Sequence, residues 1–335
     1  MIKIALDAMG SDNAPFSDVE GAVSAAREFD YEIILVGNED LIKKELEKYK
    51  PVPPNISIHH ASEVIGMHEQ PVLSVRRKKD SSIVILANLA KEKKVDAIVS
   101  AGNTGAVVCA ATLKCRLLQG IERAGIGIIM PTLKGTAIMI DGGANIDAKP
   151  SHLLQYAIMA SAYSEYILNK KSPKVGLLNV GEEESKGTGS LKEAYSLLES
   201  SGLNFIGNVE GRDFFIGECD VIVCDGLVGN VALKVSEGVA HAFGEMLKKE
   251  LKGSFISIIG AVLAKNALRS LKKKVDYAEY GGAPLLGIDG VCIIGHGSSN
   301  PKAIKNAIRV AGEEVVKNVN QHISEAITYG AHRAT

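Results

Sequence analysis

Residues 96–105 read DAIVSAGNTG. The apolar run Ala97, Ile98, Val99 is short and closes on small residues, so it predicts a buried strand and not a buried helix. Ser100 to Gly105 then form a small, polar turn from which a helix opens. The same grammar occurs twice more. DGLVGN at 225–230 follows the apolar residues 221–224, and HGSSN at 296–300 follows 291–295. Strand, glycine-bearing turn and helix in that order predict an open α/β sheet whose carboxyl edge is a ligand crevice.

Working outward, short apolar runs alternate with helical patterns. Strands are expected at 2–7, 32–36, 96–100, 125–129, 174–180, 220–224 and 291–295. Helix-period segments lie between them at 18–29, 41–48 and 82–93. The last helix opens with Asn300 as cap and Pro301 in the first turn. From there Ile304, Ala307, Ile308, Ala311, Val315, Val319 and Ile323 recur at helical spacing, read as one helix. The alternation predicts a doubly wound, three-layer α/β/α sandwich. No repeat or Pro/Ser-rich linker divides the chain, so 1–335 is read as one α/β domain.

The totals agree. Hydrophobic residues make 46% and charged residues 23%, the balance of a soluble globular protein. Aromatics are 5% with no Trp, so the core must be aliphatic, as in helix-covered parallel sheets. A net charge of −1 gives no global field for nucleic acid. Five cysteines with no CxxC pair and no signal peptide argue for reduced thiols and a cytoplasmic protein.

Chemistry is carried by loops. Helix N-termini at a carboxyl edge offer free N–H groups and partial positive charge to an anion, and glycine lets backbone approach it. Gly102, Asn103 and Thr104 form one such candidate; His296, Gly297 and Ser298 form another. In LLNVGEEESKGTGS at 177–190, Lys186 follows a strand end and three glutamates. It is either a surface charge or the cation for a phosphate. Asn230 either caps its helix or donates its amide to a carbonyl or phosphate oxygen. No GxGxxG follows the first strand and no GxxxxGK[ST] occurs, which disfavours NAD and ATP. No HExxH, zinc-spaced Cys/His cluster or GxSxG elbow is present, so no metal or cofactor is expected. His59 and His60 read as surface or structural.

Two basic stretches remain. Arg76, Arg77, Lys78 and Lys79 precede Asp80-Ser-Ser82, which is expected to cap the next helix. The segment 247–274, LKKELKGSFISIIGAVLAKNALRSLKKK, has one acid and eight basic residues around an apolar run too short to span a bilayer. Ile258, Val262 and Leu263 fall near one face, and Lys265 can snorkel. It reads as an interfacial amphipathic segment or as a core or dimer helix.

Taken together, these blocks resemble the bacterial phosphate acyltransferases of the PlsX type over essentially the whole chain. The matching stretches include DAMGSDNAP (7–15), VRRKKDSS (75–82), SAGNTGA (100–106), DGGANIDAKP (141–150), LLNVGEEESKG (177–187), DGLVGN (225–230), YGGAPLLG (280–287) and HGSS (296–299). The chain departs from that pattern at Ser11 and Asn13, where the family commonly has Gly and His, and at Gly142 and Leu227, where it commonly has Val and Phe.

The resemblance implies transfer of an acyl group from acyl carrier protein to orthophosphate, feeding phosphatidic acid and phospholipid synthesis. It implies an isocitrate/isopropylmalate dehydrogenase-like fold and a homodimer. An amphipathic hairpin at 247–275, with Phe255, Ile258, Val262, Leu263 and Lys265, would touch the inner face of the membrane beside a downstream glycerol-3-phosphate acyltransferase. Lys186 and Asn230 match positions implicated in catalysis. Charge alone suggests Arg76–Lys79 or lysines 272–274 for steering an acidic carrier protein. Two other classes stand against this reading: a dehydrogenase sharing the implied fold, which would need nucleotide and metal, and a non-catalytic scaffold at the membrane.

Overall fold

The first strand, β1 (Ile2–Asp7), pairs in parallel on both sides, with β2 (Tyr31–Gly37) and β4 (Ala97–Ser100). A computed structural model describes Met1–Ala331. After β1 come α1 (Phe16–Glu28), β2 (Tyr31–Gly37), α2 (Glu39–Leu46), β3 (Ile56–His60), α3 (Pro71–Arg77), α4 (Ser82–Lys91), β4 (Ala97–Ser100) and α5 (Thr104–Cys115). Then follow β5 (Gly125–Ile126), β6 (Ile128–Thr132), β7 (Gly135–Ile140), α6 (Pro150–Tyr166), β8 (Val175–Leu178), α7 (Gly189–Ser200), β9 (Phe205–Val209) and β10 (Val221–Val223). The chain ends through α8 (Gly226–Lys252), α9 (Phe255–Leu263), α10 (Lys265–Val275), β11 (Ala283–Leu286), β12 (Val291–Ile294), α11 (Pro301–Val316) and α12 (Val319–Ala331).

Two sheets form. The seven-stranded sheet has the order β3-β2-β1-β4-β12-β11-β5, parallel as far as β12 and antiparallel beyond. The five-stranded sheet has the order β6-β7-β10-β8-β9, with only β6 antiparallel. Side chains alternate across each strand and so build a layer on each face. In the first sheet Leu6, Leu35, Val99 and Ile293 pack with Val19 of α1 and Ile304 and Ile308 of α11. Ala5, Val36, Ile98 and Cys292 face the other way, onto Leu86 of α4 and Val107 of α5. In the second, Ile138, Leu177 and Val221 meet α6, α7 and α12 through Leu153, Leu198 and Ile323. Its opposite face is thinner: Met139 and Ile222 pack with Phe214 and with Ala232 and Leu233 of α8. The three-layer α/β/α expectation therefore holds for both sheets.

Several local expectations are corrected. The strand expected at 125–129 is two strands: β5 joins the first sheet and β6 the second. β7, β9 and β11 have no counterpart among the expected strands. The final helix breaks at Asn318, whose φ is +48°. Ile304 and Ile308 before the break pack on the first sheet; Val319 and Ile323 after it pack on the second. One unbroken helical repeat in the sequence thus serves two cores, and the kink carries the chain between them. Asn300 caps α11 as expected, accepting from the Ala303 amide at 2.9 Å.

Candidate active site

In the first sheet the chain leaves β1 towards β2 on one side and β4 lies on the other, so the carboxyl ends of β1 and β4 flank a topological switch point. Asp7 ends β1 fully buried. Its carboxylate accepts from Ser100 Oγ at 2.7 Å and from the Met9 amide at 3.1 Å. Burial pushes its carboxyl above the ordinary aspartate value, against those bonds. Ser100 Oγ in turn accepts from the Gly102 amide at 3.1 Å. The turn after β4 is thereby pinned to the turn after β1.

Asn103 holds this turn from the other side. Its Oδ1 caps α5 by accepting from the Ala106 amide at 3.0 Å. Its Nδ2 donates to the carbonyls of Gly66, Met67 and Glu69 at 3.1–3.2 Å. The side chain is spent on structure, so the expected phosphate role of Gly102 and Asn103 is narrowed: the Gly102 amide and the Asn103 amide group are already bonded. Among the described residues, the amides of exposed Thr104 and Gly105 take no partner, and they open the helix onto solvent. The loop after β12 joins the cluster through the Asp12 amide, which donates to the Gly297 carbonyl at 2.8 Å. His296 Nδ1 and Ser298 Oγ lie 2.7 Å apart. Gly297 packs against the side-chain ends of Met67 and Asp12: a Cβ there would fall 2.6 Å from the Met67 methyl, which would have to swing aside.

The second sheet contributes β7, β8 and β10. Asp141 follows β7, fully buried, and its two oxygens accept from the amides of Ile126, Gly143, Ala144 and Asn145 at 2.7–3.0 Å. Burial raises its carboxyl and these donors oppose the rise. The resulting loop receives the first turn of α8. The Gly226 amide donates to the Asn145 carbonyl at 2.8 Å, and a Cβ on Gly229 would lie 1.9 Å from the Asp141 carbonyl oxygen. Only glycine permits that approach. Asp225 caps α8, accepting from the Val228 amide at 2.8 Å, which corrects the capping role considered for Asn230. Asn230 stands one turn inside the helix, exposed, beside Gly143, whose φ of +135° is open to glycine.

Lys186 lies in the loop between β8 and α7, and its side chain is exposed. Its amide donates to the Glu183 carbonyl at 3.0 Å, and its carbonyl accepts from Asn179 Nδ2 at 3.2 Å. Glu182 pairs instead with Arg212 at 3.0 Å. Among the described residues no carboxylate pairs with the Lys186 ammonium. The two halves meet at one further contact that the sequence did not signal. Lys234, one turn beyond Asn230 on α8, sits 3.2 Å from His296 Nε2. A lysine inside an exposed helix looks like any solvated charge, so nothing in the sequence singled it out.

The other expected residues lie on α3, on the turn that follows it and in the segment 247–274. Lys78 turns inward and binds Glu69 at 2.6 Å and the Val64 carbonyl at 2.7 Å, which holds the Glu69 carboxyl down at about 2. Arg76 and Lys79 line an open groove of about 510 Å³ between α3, α4 and α5. Its floor is Val75, Val84 and Leu113, and Lys91 and Lys114 complete a rim with no carboxylate. Asp80 and Ser81 do not cap α4 through their side chains: Asp80 accepts from the Ser62 amide and Ser81 Oγ bonds the Lys78 carbonyl. The segment 247–274 starts inside α8 and continues as α9 and α10. Phe255, Ile258, Val262 and Leu263 are 78%, 45%, 65% and 82% exposed, which sets aside a core helix within the single chain. The side chain of Lys272 lies outside the described residues. No described helix is long and apolar enough to cross a membrane.

Residues 2–322 match the family described as fatty acid synthesis protein. The phosphate acyltransferase of Geotalea uraniireducens is 52% identical over 326 residues, covering 97% of this chain and 94% of that protein. The chain belongs to the phosphate acyltransferase family of the PlsX type. Family membership sets aside the dehydrogenase and scaffold readings. Solved structures add the fold. A phosphotransacetylase from Streptococcus pyogenes superimposes with a TM-score of 0.67 at 15% identity, over 94% of each chain. A 4-hydroxythreonine-4-phosphate dehydrogenase described from Salmonella typhimurium follows at a TM-score of 0.53 and 13% identity, over 93% of this chain and 99% of that one. Two of the four departures noted, Ser11 and Gly142, also find a place. Ser11 Oγ donates to buried Asp18 at 2.7 Å. Gly142 faces Ile128, whose Cγ1 would lie 2.4 Å from any added Cβ, so the isoleucine fills the room a larger residue at 142 would need.

Proposed function

We propose that this phosphate acyltransferase takes its acyl group from an acyl carrier protein thioester and delivers it to orthophosphate. A phosphate oxygen attacks the thioester carbonyl and a C–O bond forms. The tetrahedral intermediate then expels the thiolate, which leaves with the C–S electron pair and takes up a proton. The products are acyl-phosphate and free carrier protein. Phosphate is its own nucleophile, so no covalent enzyme intermediate is needed. What the protein must supply is position and charge.

The observation that carries this reading is Lys186. Three glutamates precede it, yet among the described residues its ammonium takes none of them. A compact cation kept unpaired in the loop between β8 and α7 suits an incoming phosphate. The α5 N-terminus at Thr104 and the loop of His296, Gly297 and Ser298 supply further donors. Asn230 supports the developing oxyanion. The test is acyl-phosphate formation from palmitoyl-acyl carrier protein and orthophosphate, trapped with hydroxylamine. Phosphate-dependent product is expected, with turnover reduced about a hundredfold or more in Lys186→Ala. Undiminished turnover in that variant ends the assignment.

The partners follow in the same reading. The groove bordered by Arg76, Lys79, Lys91 and Lys114 suits an acidic carrier protein, with Arg77 beside it and Lys78 bracing it from within. The arm α9–α10 lies on the inner face of the membrane through Phe255, Val262 and Leu263, with Lys265 at headgroup level. That placement brings acyl-phosphate to a downstream glycerol-3-phosphate acyltransferase and so to phospholipid synthesis. Exposed Val231, Val235, Val239 and Phe243 on α8 make that helix the natural face for a second copy in a cytoplasmic homodimer.

A further inference from the structure

We infer that Lys234, held by His296 one helical turn beyond Asn230, binds the phosphate substrate. This inference rests on the acyl-transfer reading above and adds a residue to it.

The geometry comes first. Residues four apart on a helix share a face, with Cβ atoms about 6 Å apart. Lys234 therefore projects from α8 on the side that carries Asn230. Its Nζ reaches His296 Nε2 at 3.2 Å. His296 belongs to the loop after β12 of the first sheet, while α8 follows β10 of the second. Lys234 thus stands where the carboxyl edges of the two sheets meet, a turn away from the amide expected at the oxyanion. A phosphate held there has its oxygens within reach of a carbonyl at Asn230.

The chemistry agrees. An ammonium has three N–H donors. One faces Glu237 Oε2 at 2.9 Å and one faces His296, which leaves the third for a ligand. Ser298 Oγ, 2.7 Å from His296 Nδ1, holds the imidazole in place from its far side. A phosphate dianion carries more charge than Lys186 alone offsets, and Lys186 has glutamates at 182–184 in its own loop. A second cation, reaching from α8 to the His296 loop of the first sheet, answers that deficit. An exposed Lys–Glu pair three residues apart is worth only a few tenths of a kcal/mol, so helix stability is a weak reason for this arrangement.

The experiment has two arms. In the first, the Michaelis constants for orthophosphate and for acyl carrier protein are measured for wild type, Lys234→Met, Lys234→Arg and Glu237→Gln. Loss of a charge-assisted bond to an anion should raise the phosphate KM of Lys234→Met by about 10-fold or more, with the carrier KM within about twofold. Lys234→Arg should recover most of the loss, and Glu237→Gln should keep the wild-type phosphate KM. A merely structural ion pair would make Lys234→Met and Glu237→Gln alike. In the second arm, orthophosphate alone is titrated calorimetrically into wild type and Lys234→Met. Weaker binding in the variant supports the inference even if the wild type makes no acyl-phosphate, a result that would sink the acyl-transfer reading alone. An unchanged phosphate KM, or equal phosphate affinity in the titration, overturns the role of Lys234.

Discussion

Helices α11 and α8 both follow a strand and a glycine-bearing turn, yet they do opposite work. Over 16 residues α11 buries nine, among them Ile304, Ile308 and Ala311, and it fills the space between α1 and β12. Over 27 residues α8 buries two, Gly226 and Gly229, both where its first turn abuts Asp141. Thereafter Val231, Val235, Val239 and Phe243 are exposed. One helix is held by its side chains and the other by its N-terminus. Burial is concentrated in the first; the second carries Asn230 and Lys234 and leaves its apolar side chains exposed.

That contrast can be broken at several points. The largest effect belongs to α11: Ile308→Ala, at a fully buried site, should cost about 2–5 kcal/mol in denaturant unfolding. A loss under about 1 kcal/mol would show that α11 is less essential than its burial implies. Next is Asn230→Ala on α8, expected to lower kcat about a hundredfold while leaving the melting temperature in place. If the melting temperature falls instead, Asn230 is structural. Phe255→Asp with Leu263→Asp should abolish binding to anionic vesicles in a flotation assay without altering the unfolding midpoint, since both side chains are largely exposed in the single chain.

A smaller effect comes from Asp18 in α1. Burial lifts its carboxyl to about 7, and Ser11 lowers it only in part. A carboxyl raised on folding binds more protons in the native than in the unfolded state between the ordinary aspartate value and 7. Stability from this group therefore falls as pH rises through that window and stays low above it. Asp18→Asn should flatten the decline and raise the melting temperature at pH 8 by roughly a few degrees. Equal melting curves for the two proteins at pH 5 and pH 8 would contradict the burial argument. The smallest effect closes the comparison: Phe243→Ala, 64% exposed, should change the stability of the isolated chain by no more than about 0.5 kcal/mol. A larger and concentration-dependent loss would reveal a second copy seated on α8.

Much of the site was legible because its residues sit at punctuation. Ser100, Asp225 and His296 each mark where an apolar strand stops, and a short continuous apolar run followed by small residues can be read without coordinates. Lys186 stood out for the same reason. The division into two sheets was not legible. Residues 125–132 read as one apolar run, and only pairing with β11 on one side and β7 on the other splits them. The final helix is similar: its repeat continues through Asn318 because apolar residues are needed on both sides of the kink, for two different cores.

The sequence by itself determined the α/β class, the strand-end turns at which a crevice is expected and the candidacy of Lys186 and Asn230, because local periodicity and glycine placement are properties of neighbours along the chain. Tertiary structure decided what those candidates can still do. Asn103 is consumed by three carbonyls from the loop at 66–69, Asp225 and not Asn230 caps α8, and Lys78 is drawn in by Glu69. Lys234 acquires His296 from 62 residues away. A side chain's remaining donors are known only once every distant partner has been placed, and no spacing along the chain records that sum.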